Sequence, residues 1–199
     1  DVAKGLTMFM LEKALGPATD FVSGRSGSSS STWIIHGLVW AFVASTFTFM
    51  GLWLSHDATA LHSFESWGYH PNSSELIYAG RLTALFGAIG MLVVGSSLYS
   101  LPRLCGTHLA SESNATLVSL LWTLSVLLMF IGSQNAVIAG ITILPIANLL
   151  ITLASIALVL NLILTVSEAT QEIAFPGWLI VFAFIGNIAA VVAVFISGA

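Results

Sequence analysis

The stretch Tyr78-Ala-Gly-Arg-Leu82, continued by Leu85-Phe-Gly-Ala-Ile-Gly-Met-Leu-Val-Val-Gly-Ser-Ser-Leu-Tyr99 and Leu101-Pro-Arg-Leu-Cys-Gly106, decides how the rest of the chain is read. From Leu82 to Leu101 the only ionisable side chain is the Tyr99 phenol, and about 20 apolar residues are what a helix needs to cross a bilayer. Gly80, Ala84 and Ala88 recur at every fourth residue. That spacing puts small side chains on one helix face and lets a neighbouring helix approach closely. Pro102 is expected to stop the helix, with Arg103 anchoring its end at the headgroups. The segment therefore reads as a packed, interior membrane helix.

The surrounding composition points the same way. Of 199 residues, 57% are hydrophobic and 7% charged, whereas a soluble domain carries about a quarter charged residues. The length holds roughly five spans of 20–25 residues. The expected fold is all-α, one polytopic transmembrane helix bundle with spans at about 32–54, 80–102, 115–133, 144–166 and 177–197. With a net charge of −4 and only five Lys and Arg, no basic patch suits nucleic acid, which is excluded as an expected partner. The single Cys105 forms no internal disulfide and has no metal-site spacing.

Residues 1–31 are set apart from the bundle. Val2, Leu6, Phe9 and Lys13 follow a helical rhythm that Gly16-Pro17 ends. A short amphipathic helix on the membrane surface is one reading, and an ordinary cap on the bundle the other. Glu12 and Lys13 interrupt any apolar core of a signal peptide. Ser23 to Ser31 is Gly- and Ser-rich and reads as a flexible linker. In the first span, Trp33 and Trp53 lie near the two ends, as interfacial aromatics do. Residues 136–143 are expected to dip at the interface or pack on the bundle, with Pro145 in the first turn of the fourth span. Lys4, Lys13, Arg25 and Arg103 fall on one side in a five-span model, and Arg81 near the other. The positive-inside rule then puts the N-terminus on the cytoplasmic or matrix side and the 55–75 loop outside.

Few residues offer chemistry. His36, one turn inside the first span, could ligate haem iron or serve as an interfacial hydrogen-bonding group. His56, His62 and His70 share the polar 55–75 loop with Asp57, Glu65 and Glu75. They could hold copper or zinc, though their spacing matches no regular motif. Arg81 could pair with a haem propionate or Glu75, or snorkel to lipid phosphates. Asn148, Thr152 and Ser155 form a polar stripe in the fourth span, with Asn161 and Thr165 on another face. These suit interhelical hydrogen bonds or a substrate path. Between Glu112 and Glu168 there is no Asp, Glu, Lys, Arg or His, and no catalytic acid, base or nucleophile emerges.

The second span resembles the N-terminal helices of the catalytic subunit in the haem-copper oxidase superfamily, most closely its cbb3-type oxidases and nitric oxide reductases. The matching residues are Gly80-Arg81-Leu82, Leu85-Phe86-Gly87, Gly90-Met91, Gly95, Leu98-Tyr99 and Leu101-Pro102-Arg103-Leu104. Leu120-Leu121-Trp122, Asn161-Leu162, Thr165 and Trp178 are similar more loosely. Where the family carries a histidine for the low-spin haem, this chain reads Thr83-Ala84-Leu85-Phe86, and the helices of the copper histidines are absent. The resemblance implies a membrane subunit of a respiratory or electron-transfer complex. It would work with other membrane subunits and lipids, sharing haem with a partner chain or contacting lipid or quinone. Two alternatives stay open: a cytochrome b-like anchor binding haem through His36, and a small transporter or channel component.

Overall fold

A computed structural model describes residues 26–57, 59–65, 70, 72–134, 137–138 and 140–197. The proposed amphipathic helix, Lys4, Lys13 and Arg25 lie outside the described residues. The elements are α1 (Ser28–His56), α2 (His62–Glu65), α3 (Ser73–Leu82), a π-helical segment (Thr83–Ile89), α4 (Gly90–Cys105), α5 (Glu112–Gly132), β1 (Val137–Ile138), β2 (Ile141–Thr142), α6 (Ile143–Ser167) and α7 (Phe175–Ser197). The all-α bundle expected from composition is what forms. Four runs are long and apolar enough to cross a membrane: Ser28–His56, Ser73–Cys105, Glu112–Gly132 and Ile143–Ser167. The fifth helix, α7, is apolar over Phe175–Gly186. Phe42, Phe49, Leu85, Leu117, Leu160 and Phe182 are all exposed, an arrangement that suits lipid and that water would penalise. The chain is a membrane protein.

Contacts at the helix ends fix the topology. The Glu112 carboxylate at the start of α5 reaches Gly27 and Ser29 at the start of α1. Gln171, after α6, reaches the end of α4. Gln134, after α5, reaches Glu75 at the start of α3. Successive long helices therefore run antiparallel, with α1 against α3, α4 and α5, α6 against α4 and α5, and α7 against α4 and α6. A single core joins Trp33, Met91, Val126, Ile151, Leu158 and Phe184.

The α1 contact with α3–α4 is unusually close. A Cβ on Gly87 would stand 2.7 Å from the Trp40 ring, and one on Gly95 would stand 2.8 Å from Ile34 and 3.1 Å from the Ser30 carbonyl. A Cβ on Gly80 would collide with the Thr48 hydroxyl. The expected Gly80/Ala84/Ala88 face is corrected here. Gly80 and Ala88 are buried as expected, Ala84 is only half-buried, and the close approach to α1 is made at Gly80, Gly87 and Gly95. The run includes a π segment, with i→i+5 bonding. Gly90 N donates to Gly87 O and to Leu85 O, not to Phe86 O. The carbonyl of Phe86, relieved of its α-helical donor, accepts from Trp122 Nε1 at 2.9 Å.

Three further expectations change. Pro102 does not stop the helix; it is buried within α4, which ends at Gly106 in the left-handed region (φ 63°), with Thr107 N donating to Pro102 O at 2.9 Å. Ser28 to Ser31 are helical instead of linker, so α1 starts four residues earlier than expected. Trp33 is 0% exposed while Trp53 is 48% exposed, so of these two Trp53 alone has the exposure of an interfacial aromatic. Trp33 is drawn inward because its Nε1 finds the Ala115 carbonyl at 2.9 Å and its ring packs edge-to-face on Trp122, centroids 5.4 Å apart. β1 and β2 pair antiparallel, with Val137 opposite Thr142 and Ile138 opposite Ile141, and Gly140 has φ 80°. Pro145 occupies the first turn of α6, as expected.

Replacing Gly87 by Val should destabilise the protein by about 1–3 kcal/mol through overpacking. Gly186→Ala, where an added Cβ meets nothing within 4 Å, should be neutral or slightly stabilising. Thermal unfolding of the two variants in detergent checks the contrast.

Candidate functional site

Several polar side chains gather at one end of the bundle, where α1 and α5 begin and α4 and α6 end. Glu112 accepts from Gly27 N (2.7 Å), Ser29 N (3.1 Å) and Ser29 Oγ (2.5 Å). A carboxylate from α5 thus caps the positive end of α1 and satisfies amides that the first turn of a helix leaves open. Beside it, Asn161 clamps the α4–α5 connection from both sides. Its Oδ1 accepts from Ser111 N at 3.1 Å and its Nδ2 donates to Ser111 O at 2.8 Å. Thr165 Oγ1 accepts from Ala110 N at 3.0 Å. Asn161 is 2% exposed, so this amide replaces water for a buried backbone pair. At the end of α4, Thr170 Oγ1 donates to Gly106 O and Gln171 Nε2 to Leu104 O, closing carbonyls the helix cannot use. Arg103 lies over the Tyr99 ring, 3.4 Å from its centroid, and donates to Tyr99 O at 2.7 Å.

From Glu112 a polar stripe runs down α5 at Thr116, Ser119 and Thr123. The hydroxyls of Thr116 and Ser119 donate to carbonyls of their own helix, Glu112 O and Thr116 O. That of Thr123 turns instead to α1 and α4, 3.1 Å from His36 Nδ1 and 3.9 Å from Met91 Sδ. This three-helix junction is the candidate site. His36 was readable from the sequence as an intramembrane imidazole. Thr123 was missed, although the spacing 112, 116, 119, 123 marks one helix face.

The other candidate residues are not brought to this junction. His56 ends α1, His62 begins α2, and His70 is exposed between them and α3. Among the described residues no group of three or more His, Cys, Asp or Glu side chains is placed to hold a metal ion. Arg81 is exposed on α3. Glu75 lies six residues earlier, on a different face of the same helix. In the α6 stripe, Thr152 donates to Asn148 O and Ser155 to Ile151 O. Those hydroxyls are spent within their own helix and neither bridge helices nor line a path. A shallow cleft of about 320 Å³ at the opposite end is lined by Ser74, Glu75, Tyr78, Gly132, Ser133 and Leu144.

The low-spin haem implied by the resemblance does not fit the second span. At the place of the family's histidine, Thr83 is fully buried and bonds Ala79 O (2.9 Å) and Gly80 O (3.1 Å). Nearby Phe86 O is taken by Trp122. Neither offers a ligand. No family model, no curated protein and no solved structure matches this chain.

In the loop after α1, Asp57 Oδ1 accepts from Thr59 Oγ1 (2.7 Å) and Thr59 N (2.9 Å). Hydrogen bonds to Thr59, with a smaller contribution from His62, hold the Asp57 carboxyl below its ordinary value. A depressed carboxyl supports this turn above its unfolded-state pKa, and the support is lost as pH falls through the folded value. The Thr59 amide should therefore keep its hydrogen-bonded chemical shift at neutral pH and lose it only below the usual aspartate range. Glu112→Ala should cost about 1.5–3 kcal/mol, the range for hydrogen bonds to a charged group. It should also speed hydrogen exchange at Ser29 while leaving the α6–α7 half protected.

Proposed function

We propose that this chain is an integral-membrane subunit of a respiratory or other electron-transfer complex, structural by itself and completed by partner membrane chains. The observation that carries the reading is how the interior polar groups are used. Glu112, Asn161, Thr165, Trp33 and Trp122 are all committed to the chain's own backbone. What they build is a rigid, tightly seamed scaffold, in keeping with the resemblance of Gly80 to Leu104 to part of an oxidase subunit. In this reading the Arg103 end faces the cytoplasm or matrix, and the loop after α1 faces outward across a prokaryotic plasma membrane or an organellar inner membrane.

A second reading, a cytochrome b-like anchor, is favoured by one observation. The Nδ1 of His36 is held by Thr123, the arrangement in which a histidine ligates a metal through its other nitrogen.

Gentle detergent purification from native membranes tests both. Haem- or metal-bearing membrane chains should co-elute in fixed stoichiometry, with no Soret band from the isolated chain. A lone, monodisperse chain would overturn the first reading. A Soret band abolished by His36→Ala would replace it with the second.

A further inference from the structure

The cleft where α3 begins has a one-sided chemistry. It is lined by Ser74, Glu75 and Tyr78 of α3, by Gly132 and Ser133 where α5 ends, and by Leu144 in the first turn of α6. Both serine hydroxyl protons are already spent. Ser74 Oγ donates to Asn72 Oδ1 at 2.7 Å, and Ser133 Oγ donates to Phe130 O at 2.6 Å. What these hydroxyls still offer is lone pairs, and an ionised carboxylate such as Glu75 only accepts. The exposed Tyr78 ring adds a π face, which attracts cations. The ligand matched to such side chains is a cation that brings N–H donors and no acceptor, which describes a primary ammonium.

The helix below the cleft supplies the rest of a binding surface. Glu75, Tyr78 and Arg81 follow one another at three-residue steps, so each neighbours the next along one ridge. Arg81 is exposed, and exposed Leu85, Ile89 and Val93 follow at four-residue steps. Arg81 and the exposed Arg103 stand about 33 Å apart along the helix at 1.5 Å per residue, close to the roughly 30 Å of a hydrocarbon core. Arg81 thus sits at the depth where acyl chains give way to phosphates. Helical side chains lean toward the N-terminus of their helix, here toward Tyr78 and the cleft.

We propose that this corner of the bundle holds one phospholipid with a primary-ammonium headgroup, of the phosphatidylethanolamine class. Its ammonium donates into the cleft to Glu75 and the serine oxygens, its phosphate meets the Arg81 guanidinium, and one acyl chain follows Leu85, Ile89 and Val93. A trimethylammonium headgroup carries the same charge but no N–H, and a glycerol headgroup carries no cation. The cleft therefore discriminates between lipids that share phosphate and acyl chains. The inference rests on the membrane reading alone. A chain that binds this lipid yet copurifies with no redox partner would refute the proposed complex and leave the lipid site standing.

Native mass spectrometry of the full chain, released from detergent with phosphatidylethanolamine, phosphatidylcholine or phosphatidylglycerol of matched acyl chains, tests the site. The ethanolamine lipid should bind about tenfold more tightly than either of the others, as one added hydrogen bond between charged groups gives. Glu75→Gln should bring the ethanolamine lipid down to the level of the choline lipid. Arg81→Leu should weaken all three alike, since all carry the phosphate, and leave the ethanolamine preference in place. Equal binding of the three lipids by the unmutated chain would overturn the proposal. So would a preference for the glycerol lipid, or an ethanolamine preference that survives Glu75→Gln.

Discussion

The contact on which the structure depends is the glycine seam between α1 and the long helical run from Ser73 to Cys105. In a bilayer the lipid tails compete equally for apolar side chains, so helices gain by packing more closely than lipid can. Gly80, Gly87 and Gly95 allow that approach at three heights against Thr48, Trp40 and the Ser30–Ile34 turn. The spacings of seven and eight residues keep the three glycines on one helix face. The π segment at Thr83–Ile89 lies within this run and frees the Phe86 carbonyl from its α-helical donor, so that it accepts from Trp122, which ties α5 to the same joint.

With the seam in place, the polar groups fall into two kinds. Most close the ends of helices. Glu112 caps α1, Asn161 holds the entry to α5, and Thr170 and Gln171 cover the end of α4. Each meets a backbone group that its own helix leaves open, so these side chains hold the ends of the helices in fixed relation. The His36–Thr123 pair is of the other kind. It bonds side chain to side chain across helices, between α1 and α5. That distinction is why function is sought at this junction.

Much of the fold could be read from residues alone. Hydropathy and length placed the long helices, Pro145 fell in the first turn of α6, and the break expected between 166 and 177 falls at 168–174, between α6 and α7. The errors share a cause: they were local readings of features decided at long range. Ser28 to Ser31 look like a linker until a carboxylate more than eighty residues away caps them. Trp33 looks interfacial until a carbonyl on α5 accepts its indole N–H. A π segment leaves no mark in a 3.6-residue pattern, so the Gly80/Ala84/Ala88 face was drawn as if the helix were regular. At the candidate site the imidazole was legible and its partner was not, because Thr123 is one of many hydroxylated residues on apolar helices and only tertiary packing singles it out.

The central claim is that all three glycines lie against α1 at once, with the π segment inside the same run. Solid-state NMR of the unmodified chain in lipid bilayers measures this directly through contacts between Gly80 and Thr48, Gly87 and Trp40, and Gly95 and Ile34. The account predicts all three in one sample. Contacts at only one end of the seam, with unbroken i→i+4 bonding from Ser73 to Cys105, would contradict it.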